Sequence, residues 1–312
     1  MKKLIFGISE KNQSEYWEIV NAGFLKCAKR LNLEFIIKAP PSENVECQLA
    51  DMERFVEQKV DGIAFVATNP ELFAPTVEKA LKKGIPVLCF DLDAPESGRY
   101  AFIGATRPIE MGIVAGKYMV ENLPKGGTVA IQTGSMTAAG ALGKLKGFQE
   151  IASKNDINVI DIKNDYGKIS LALENAKLLL TKYPDLDGMY GIYAYHAWCQ
   201  AQAVKELKLK RRPKIVGFDM LPQTITYIDE GLIDYAIWIG EYYFGFYTAA
   251  FLSNMVRIGV TETLFMSGLN SDNYKANIIN LPVVAFNKDN IAKYKTWSEK
   301  NNPFHLISKK QK

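Results

Sequence analysis

The sequence predicts an α/β fold built from two doubly wound parallel-sheet units. Three observations carry that prediction. Short apolar runs rich in β-branched residues alternate with longer amphipathic runs along most of the chain. The apolar runs are continuous, which marks strands of a parallel sheet covered on both faces. The same alternation then begins a second time, with no Gly/Pro/Ser-rich linker between the two passes. A length of 312 residues agrees with two domains.

The first pass opens with a strand at 4–9, "LIFGIS". Apolar residues spaced by three and four predict a helix over 16–32. A strand follows at 34–40, a helix at 45–60, a strand at 62–68 and a helix at 70–84, with Gly84 as its stop. The run "IPVLCFDLD" (85–93) completes a βαβαβαβ series. The second pass has strands at 100–105, 127–134, 157–165, 188–193, 214–220 and 234–240. Helices over 108–122, 140–154, 168–182, 196–207 and 222–230 separate them. A helix over 241–258 follows, then the run "NIINLPVVAFN" (277–287) and an amphipathic piece at 289–299. The division expected is 1–104 with 240–268, and 105–239 with 280–312, the first passage lying near Gly104–Thr106.

Composition narrows the function. Net charge is only +4, and the densest basic run, "KLKRR" (208–212), reads as a solvated turn before a strand. No nucleic-acid partner is expected from that pattern. The four cysteines show no metal-like spacing, and Cys27, Cys89 and Cys199 fall in helix-like or apolar segments, as buried thiols do. No stretch is long enough to cross a membrane. The opening apolar run is too short for a signal-peptide core, so the chain is either cytoplasmic or an exported protein without its signal.

Open parallel sheets bind ligands beyond the carboxyl ends of their strands. Two such sheets facing each other would make a cleft. The strand-end segments are Ser9 to Trp17, Thr68, Asp91 with Asp93, Gly134 to Thr137, Asp165 with Tyr166, Tyr193 to Trp198, Asp219, and Trp238 to Glu241. Three of the four tryptophans (Trp17, Trp198, Trp238) lie there beside acids. Sugars present C–H faces to aromatic rings and hydroxyls to carboxylates, so the combination suits a sugar, although each tryptophan alone could be core packing. Asp91-Leu92-Asp93 admits three readings: a metal-binding DxD of a Mg²⁺-dependent hydrolase, hydroxyl recognition, or, for Asp93, a turn cap. Asp91, at the strand end, favours hydroxyl recognition. His196 could donate to a ligand or sit on a helix N-terminal surface, and His305 reads as surface. There is no P-loop and no G-x-G-x-x-G after the first strand, and no nucleophile–base grouping can be assembled. No cofactor and no catalysis are expected.

Several segments, taken in order, resemble one family: "EYW", "GIPVLCFDLD", "SGRYAFIG", "GSMTA…KGFQE", "YPDLDGMYGIYAY" and "KIVGFDMLP". Over about residues 3–290 the chain resembles the type I periplasmic solute-binding proteins, in their glucose- and ribose-binding branch. The resemblance implies two Rossmann-like lobes joined by a three-segment hinge, closing on a monosaccharide in the cleft between them. It implies delivery to an ABC transporter permease, or signalling of the closed form to a membrane sensor kinase or chemoreceptor. It also implies an extracytoplasmic location, in a periplasm or as a cell-surface lipoprotein. Tyr16 and Trp17 match the family's sugar-stacking pair, Asp91 and Asp219 its hydroxyl acceptors, and Tyr166 an aromatic of the ribose branch. Tyr193, His196, Trp238 and Glu241 crowd the same region. The departures are Leu92 and Leu142 in place of arginines, Tyr193 for an asparagine, Ile239 for a glutamine, and Thr106-Arg107 for an Asp-Asn pair. Losing those polar groups points to a smaller or less hydroxylated sugar, a deoxy sugar or a non-sugar, or to loss of the usual sugar binding. The related repressors carry a DNA-binding headpiece before the first strand, which here begins at residue 4.

Overall fold

A computed structural model describes residues 2–301. The chain runs β1 (Leu4–Ser9), α1 (Glu15–Leu31), β2 (Leu33–Lys38), α2 (Val45–Glu57), β3 (Gly62–Phe65), α3 (Ala74–Lys82), β4 (Val87–Phe90) and β5 (Ala101–Ala105). It continues α4 (Pro108–Asn122), β6 (Gly127–Thr133), α5 (Ala139–Ala152), β7 (Ile157–Asn164), α6 (Ile169–Lys182), β8 (Gly188–Gly191), α7 (His196–Glu206), β9 (Lys214–Phe218), α8 (Pro222–Asp229) and β10 (Tyr235–Trp238). Then come α9 (Glu241–Ile258), α10 (Val260–Met266), β11 (Ile278–Leu281), β12 (Val284–Phe286) and α11 (Ile291–Asn301).

Two compact units result. The first holds residues up to Ala105 together with Gly240–Leu281, and the second holds Thr106–Ile239 with Pro282–Lys300. The sheet of the first unit has the order β11-β5-β4-β3-β1-β2, and that of the second β12-β10-β9-β8-β6-β7. All pairings in the first sheet are parallel. In the second, only β12 runs antiparallel, on β10. Each sheet reverses its strand order beside its first strand, between β1 and β3 and between β6 and β8. That reversal opens a crevice at the carboxyl ends, where doubly wound sheets take their ligands.

The returning run at 277–287 is two strands in two different sheets. β11 pairs with β5 through Leu281, so the return begins at Pro282, two residues beyond the boundary read from the sequence. The helix read over 70–84 is a 3₁₀ turn at Pro70–Leu72 followed by α3, because Pro75 fits only the first turn of a helix. The strands read as 85–93 and 214–220 stop at Phe90 and Phe218, where Asp91 and Asp219 turn left-handed. The "KLKRR" run is ion-paired and not merely solvated: Arg211 bonds Asp187, and Arg212 bonds Asp234. His305 and the expected tail beyond residue 301 lie outside the described residues.

Continuous apolar strands fill each core, with Phe6, Ile8, Ile63, Phe65, Val87 and Phe90 buried in the first sheet and Ile131, Met189, Val216, Phe218 and Ile237 in the second. In the first unit α1 packs tightly on α9. A Cβ at Gly23 or Gly245 would collide with the facing helix backbone, so both positions admit only hydrogen. That contact fixes the N-terminus of α1, which carries Tyr16, above the strand ends.

Candidate functional site

Seven non-glycine residues among those described have positive φ. Four of them, Asn32, Lys59, Asp156 and Lys208, follow helices, where a left-handed residue closes the last turn. The other three, Asp91, Tyr166 and Asp219, follow strands. A left-handed side-chain residue costs about 1–2 kcal/mol, and such strain concentrates at functional sites.

Asp91 and Asp219 occupy equivalent places. Each follows the fourth strand of its sheet, β4 or β9, with φ of 62° and 68°. Each backbone N–H donates to the neighbouring strand, Asp91 to Ile103 O at 3.1 Å and Asp219 to Ile237 O at 2.9 Å. The kink leaves both carboxylates at the carboxyl end of a central strand.

In the first unit the Tyr16 hydroxyl donates to Asp91 Oδ1 at 2.7 Å. Trp17 lies behind it. Its ring stands edge-on to Tyr16 at 4.9 Å and to Phe90 at 6.0 Å, and its indole N–H donates to Asn12 Oδ1 at 2.9 Å. Trp17 is 2% exposed and props Tyr16. Arg99 grips both oxygens of Asp93 at 2.6 Å and donates to the carbonyls of Tyr274 (2.7 Å) and Asn277 (3.2 Å). The Arg99 side chain is fully buried, so this pair ties the β4–β5 connection to the segment before β11. With Asp93 so occupied, Asp91 and Asp93 do not form one DxD centre. Glu241 opens α9 after the left-handed Gly240 and is buried.

Sequence reasoning passed over Glu10 within a strand-end segment. It follows β1 at the order reversal, is 2% exposed, and holds its backbone N–H on Lys38 O at 2.8 Å. Burial pushes its carboxyl up to about 8; a bond to Asn21 opposes this, and the nearby Asp91 charge adds to it. No heptad or strand periodicity marks such a residue; only its place directly after the first strand does.

The second unit arranges its strand ends around Asp165. Tyr195 OH donates to Asp165 Oδ1 at 2.6 Å, and His196 Nε2 meets Oδ2 at 2.5 Å. His196 Nδ1 accepts the Tyr193 N–H at 2.9 Å, so the ring proton sits on Nε2 and points at Asp165. Burial holds the imidazole below its ordinary value and outweighs the carboxylate, so this is a neutral imidazole and not an ion pair. Both ring nitrogens are used, and His196 is fully buried. Through these contacts it positions Tyr193 and Asp165. The Tyr193 ring lies over Gly134, where a Cβ would collide with it. Tyr166 is left-handed at φ 56° and 73% exposed.

Trp238 is 8% exposed and packs on Phe286, Tyr294 and Trp297 at 6.2, 5.6 and 4.9 Å. These contacts hold the returning segment in place. Trp198, in the first turn of α7, has an indole N–H with no bonding partner among the described residues. Lys144 on α5, also missed, places Nζ 3.9 Å over the Phe218 ring, one residue before Asp219. Leu142, two residues earlier in the first turn of α5, is 41% exposed.

A family model described as "Periplasmic binding protein domain" matches residues 6–259. The chain belongs to that family. Among curated relatives, it is 25% identical over 211 residues to the xylose/arabinose-binding protein XylF of Sulfolobus acidocaldarius, covering 63% of this chain and 52% of that protein. It is 25% identical over 192 residues to the ribose import binding protein RbsB of Bacillus subtilis, covering 61% of each. The matched part thus spans about half to two-thirds of these relatives' lengths. Among solved structures, GanP, a glucose-galactose binding protein from Geobacillus stearothermophilus, superposes with a TM-score of 0.77 at 27% identity, covering 93% of this chain and 99% of that one. Among the described residues no helix is long and apolar enough to cross a membrane.

Proposed function

We propose that this protein captures one small polyhydroxylated ligand at the strand ends of its two units and hands it to a membrane transporter from outside the cytoplasm. The observation that carries the reading is the matched pair of left-handed aspartates, Asp91 and Asp219. A fold keeps strained, strand-terminating carboxylates where they do work that glycine could not. Carboxylates accept hydroxyl hydrogen bonds, and Tyr16, bonded to Asp91, offers an aromatic ring for C–H faces. The names of the sugar-binding relatives support the ligand class. Closure of the two units on the ligand would shift an open–closed equilibrium that a permease reads.

Binding and not turnover fits the side chains. The His196–Asp165 pair has a backbone N–H where a nucleophile would stand, and Arg99 occupies Asp93. A thermal-shift screen of the full chain against pentoses, hexoses and polyols tests the reading. A true ligand at 100 times its Kd adds about 2.7 kcal/mol of stability. No shift with any member would overturn it.

A further inference from the structure

In the second unit a tyrosine ring sits at the crevice where the sheet reverses its order. The reversal lies between β6 and β8. Gly134 directly follows β6, and Tyr193 stands two residues beyond β8. A Cβ on Gly134 would lie 1.9 Å from Tyr193 Cε2 and 2.1 Å from its Cδ2, so the ring rests on bare backbone. The first unit is built otherwise. Ser9 pairs with Phe65 there as Gln132 pairs with Gly191 in the second sheet, and two residues beyond Phe65 stands Ala67. One reversal carries a methyl group where the other carries a phenol ring.

Tyr193 is also held from behind. Its backbone N–H donates to His196 Nδ1 at 2.9 Å, and its ring stacks on the imidazole at 5.8 Å and 21°. His196 and Asp165 are fully buried and bonded to each other, and Tyr195 OH donates to the other Asp165 oxygen at 2.6 Å. That hydroxyl oxygen would itself lie 2.7 Å from a Gly134 Cβ, so both tyrosines converge on the glycine. Breaking a buried hydrogen-bonded network to move them costs stability, so the ring excludes a fixed volume. We propose that Tyr193 is the size filter of the second unit: its ring takes the crevice space that an open sheet offers a ligand, so that a sugar without an exocyclic hydroxymethyl group is accepted and its hexose counterpart is rejected. The proposal rests on the reading of the protein as one that captures a polyhydroxylated ligand.

The test is calorimetric titration of the full chain with sugar pairs whose pyranose forms differ only by a hydroxymethyl group at C5. D-xylose against D-glucose, L-arabinose against D-galactose, D-ribose against D-allose and D-lyxose against D-mannose serve as probes. The pentose member of at least one pair is expected to bind about tenfold tighter or more, the discrimination one added carbon gives in a closed pocket. Tyr193→Ala, with its fold checked by circular dichroism, should close that gap by raising hexose affinity, and Tyr193→Val carries the same test should the alanine variant not fold. Tyr193→Phe keeps the ring and should keep the gap. Hexoses binding as tightly as their pentoses, or tighter, in every pair would overturn the filter and leave ligand capture standing. A gap that survives removal of the ring, or is lost in Tyr193→Phe, would overturn the assignment to the ring of Tyr193. No binding by any member of any pair, in the native protein or the variants, would overturn capture and the filter together.

Discussion

The two units share a sheet order and a left-handed aspartate after the fourth strand, but surround that aspartate differently. In the first unit Asp91 has Tyr16 on one oxygen and a second acid, Glu10, close by. In the second, a cation, Lys144, lies over the ring preceding Asp219, and a hydrogen-bonded Asp165–His196–Tyr195 network holds the adjoining tyrosines. Equivalent backbone therefore does not mean equivalent chemistry. The first unit supplies an acidic end and the second an aromatic one.

The largest expected effect breaks the comparison at its acidic side. The Glu10 carboxyl is raised from about 4.5 in the unfolded chain to about 8 in the fold. Above pH 4.5 the unfolded chain gives up this proton while the fold keeps it, so stability falls as pH rises to about 8 and then levels off. At 1.36 kcal/mol per pH unit the loss is at most about 4–5 kcal/mol. Glu10→Gln should remove that slope. Denaturant unfolding of both proteins between pH 4 and 9 reads it, and parallel curves would contradict the placement of Glu10.

Next in size is the partition between Asp93 and Asp91. Asp93→Ala leaves the Arg99 guanidinium buried without its partner and should cost about 3–5 kcal/mol of stability, with ligand affinity little changed. Asp91→Asn keeps a residue tolerant of left-handed backbone and should do the reverse. It should lose about 1.5–3 kcal/mol of ligand affinity at nearly constant stability. Paired chemical unfolding and calorimetry separate the two, and a large affinity loss in Asp93→Ala would return that residue to the site. The smallest effect belongs to Tyr166. Replacing this exposed, left-handed residue by glycine should raise stability by roughly 0.5–1 kcal/mol and weaken binding. Weakened stability would show that its ring packs for the fold.

The elements were legible because parallel strands are continuous apolar runs and helices have a period of their own. The strand-end aspartates were legible too, since a carboxylate closing a buried strand stands out in the sequence. Their conformation was not: a left-handed φ leaves no local signature at Asp91, and it shortens the strand that composition extends to residue 93. The role of Asp93 depends on an arginine that also reaches carbonyls near residue 275, and no local window contains that partner set. His196 and Asp165 are 31 residues apart, so spacing could not join them. Trp17 and Trp238 are both nearly buried, and their packing partners, from Phe90 to Trp297, are not legible from residue type and strand-end position.

One measurement tests the central claim most directly: a double-mutant cycle on Asp91→Asn and Asp219→Asn, read by calorimetric titration with the tightest ligand from the screen. The account predicts one ligand per chain, and a loss of about tenfold or more in each single variant. Unchanged affinity in either single variant would contradict the claim that the two strand-end aspartates hold one ligand.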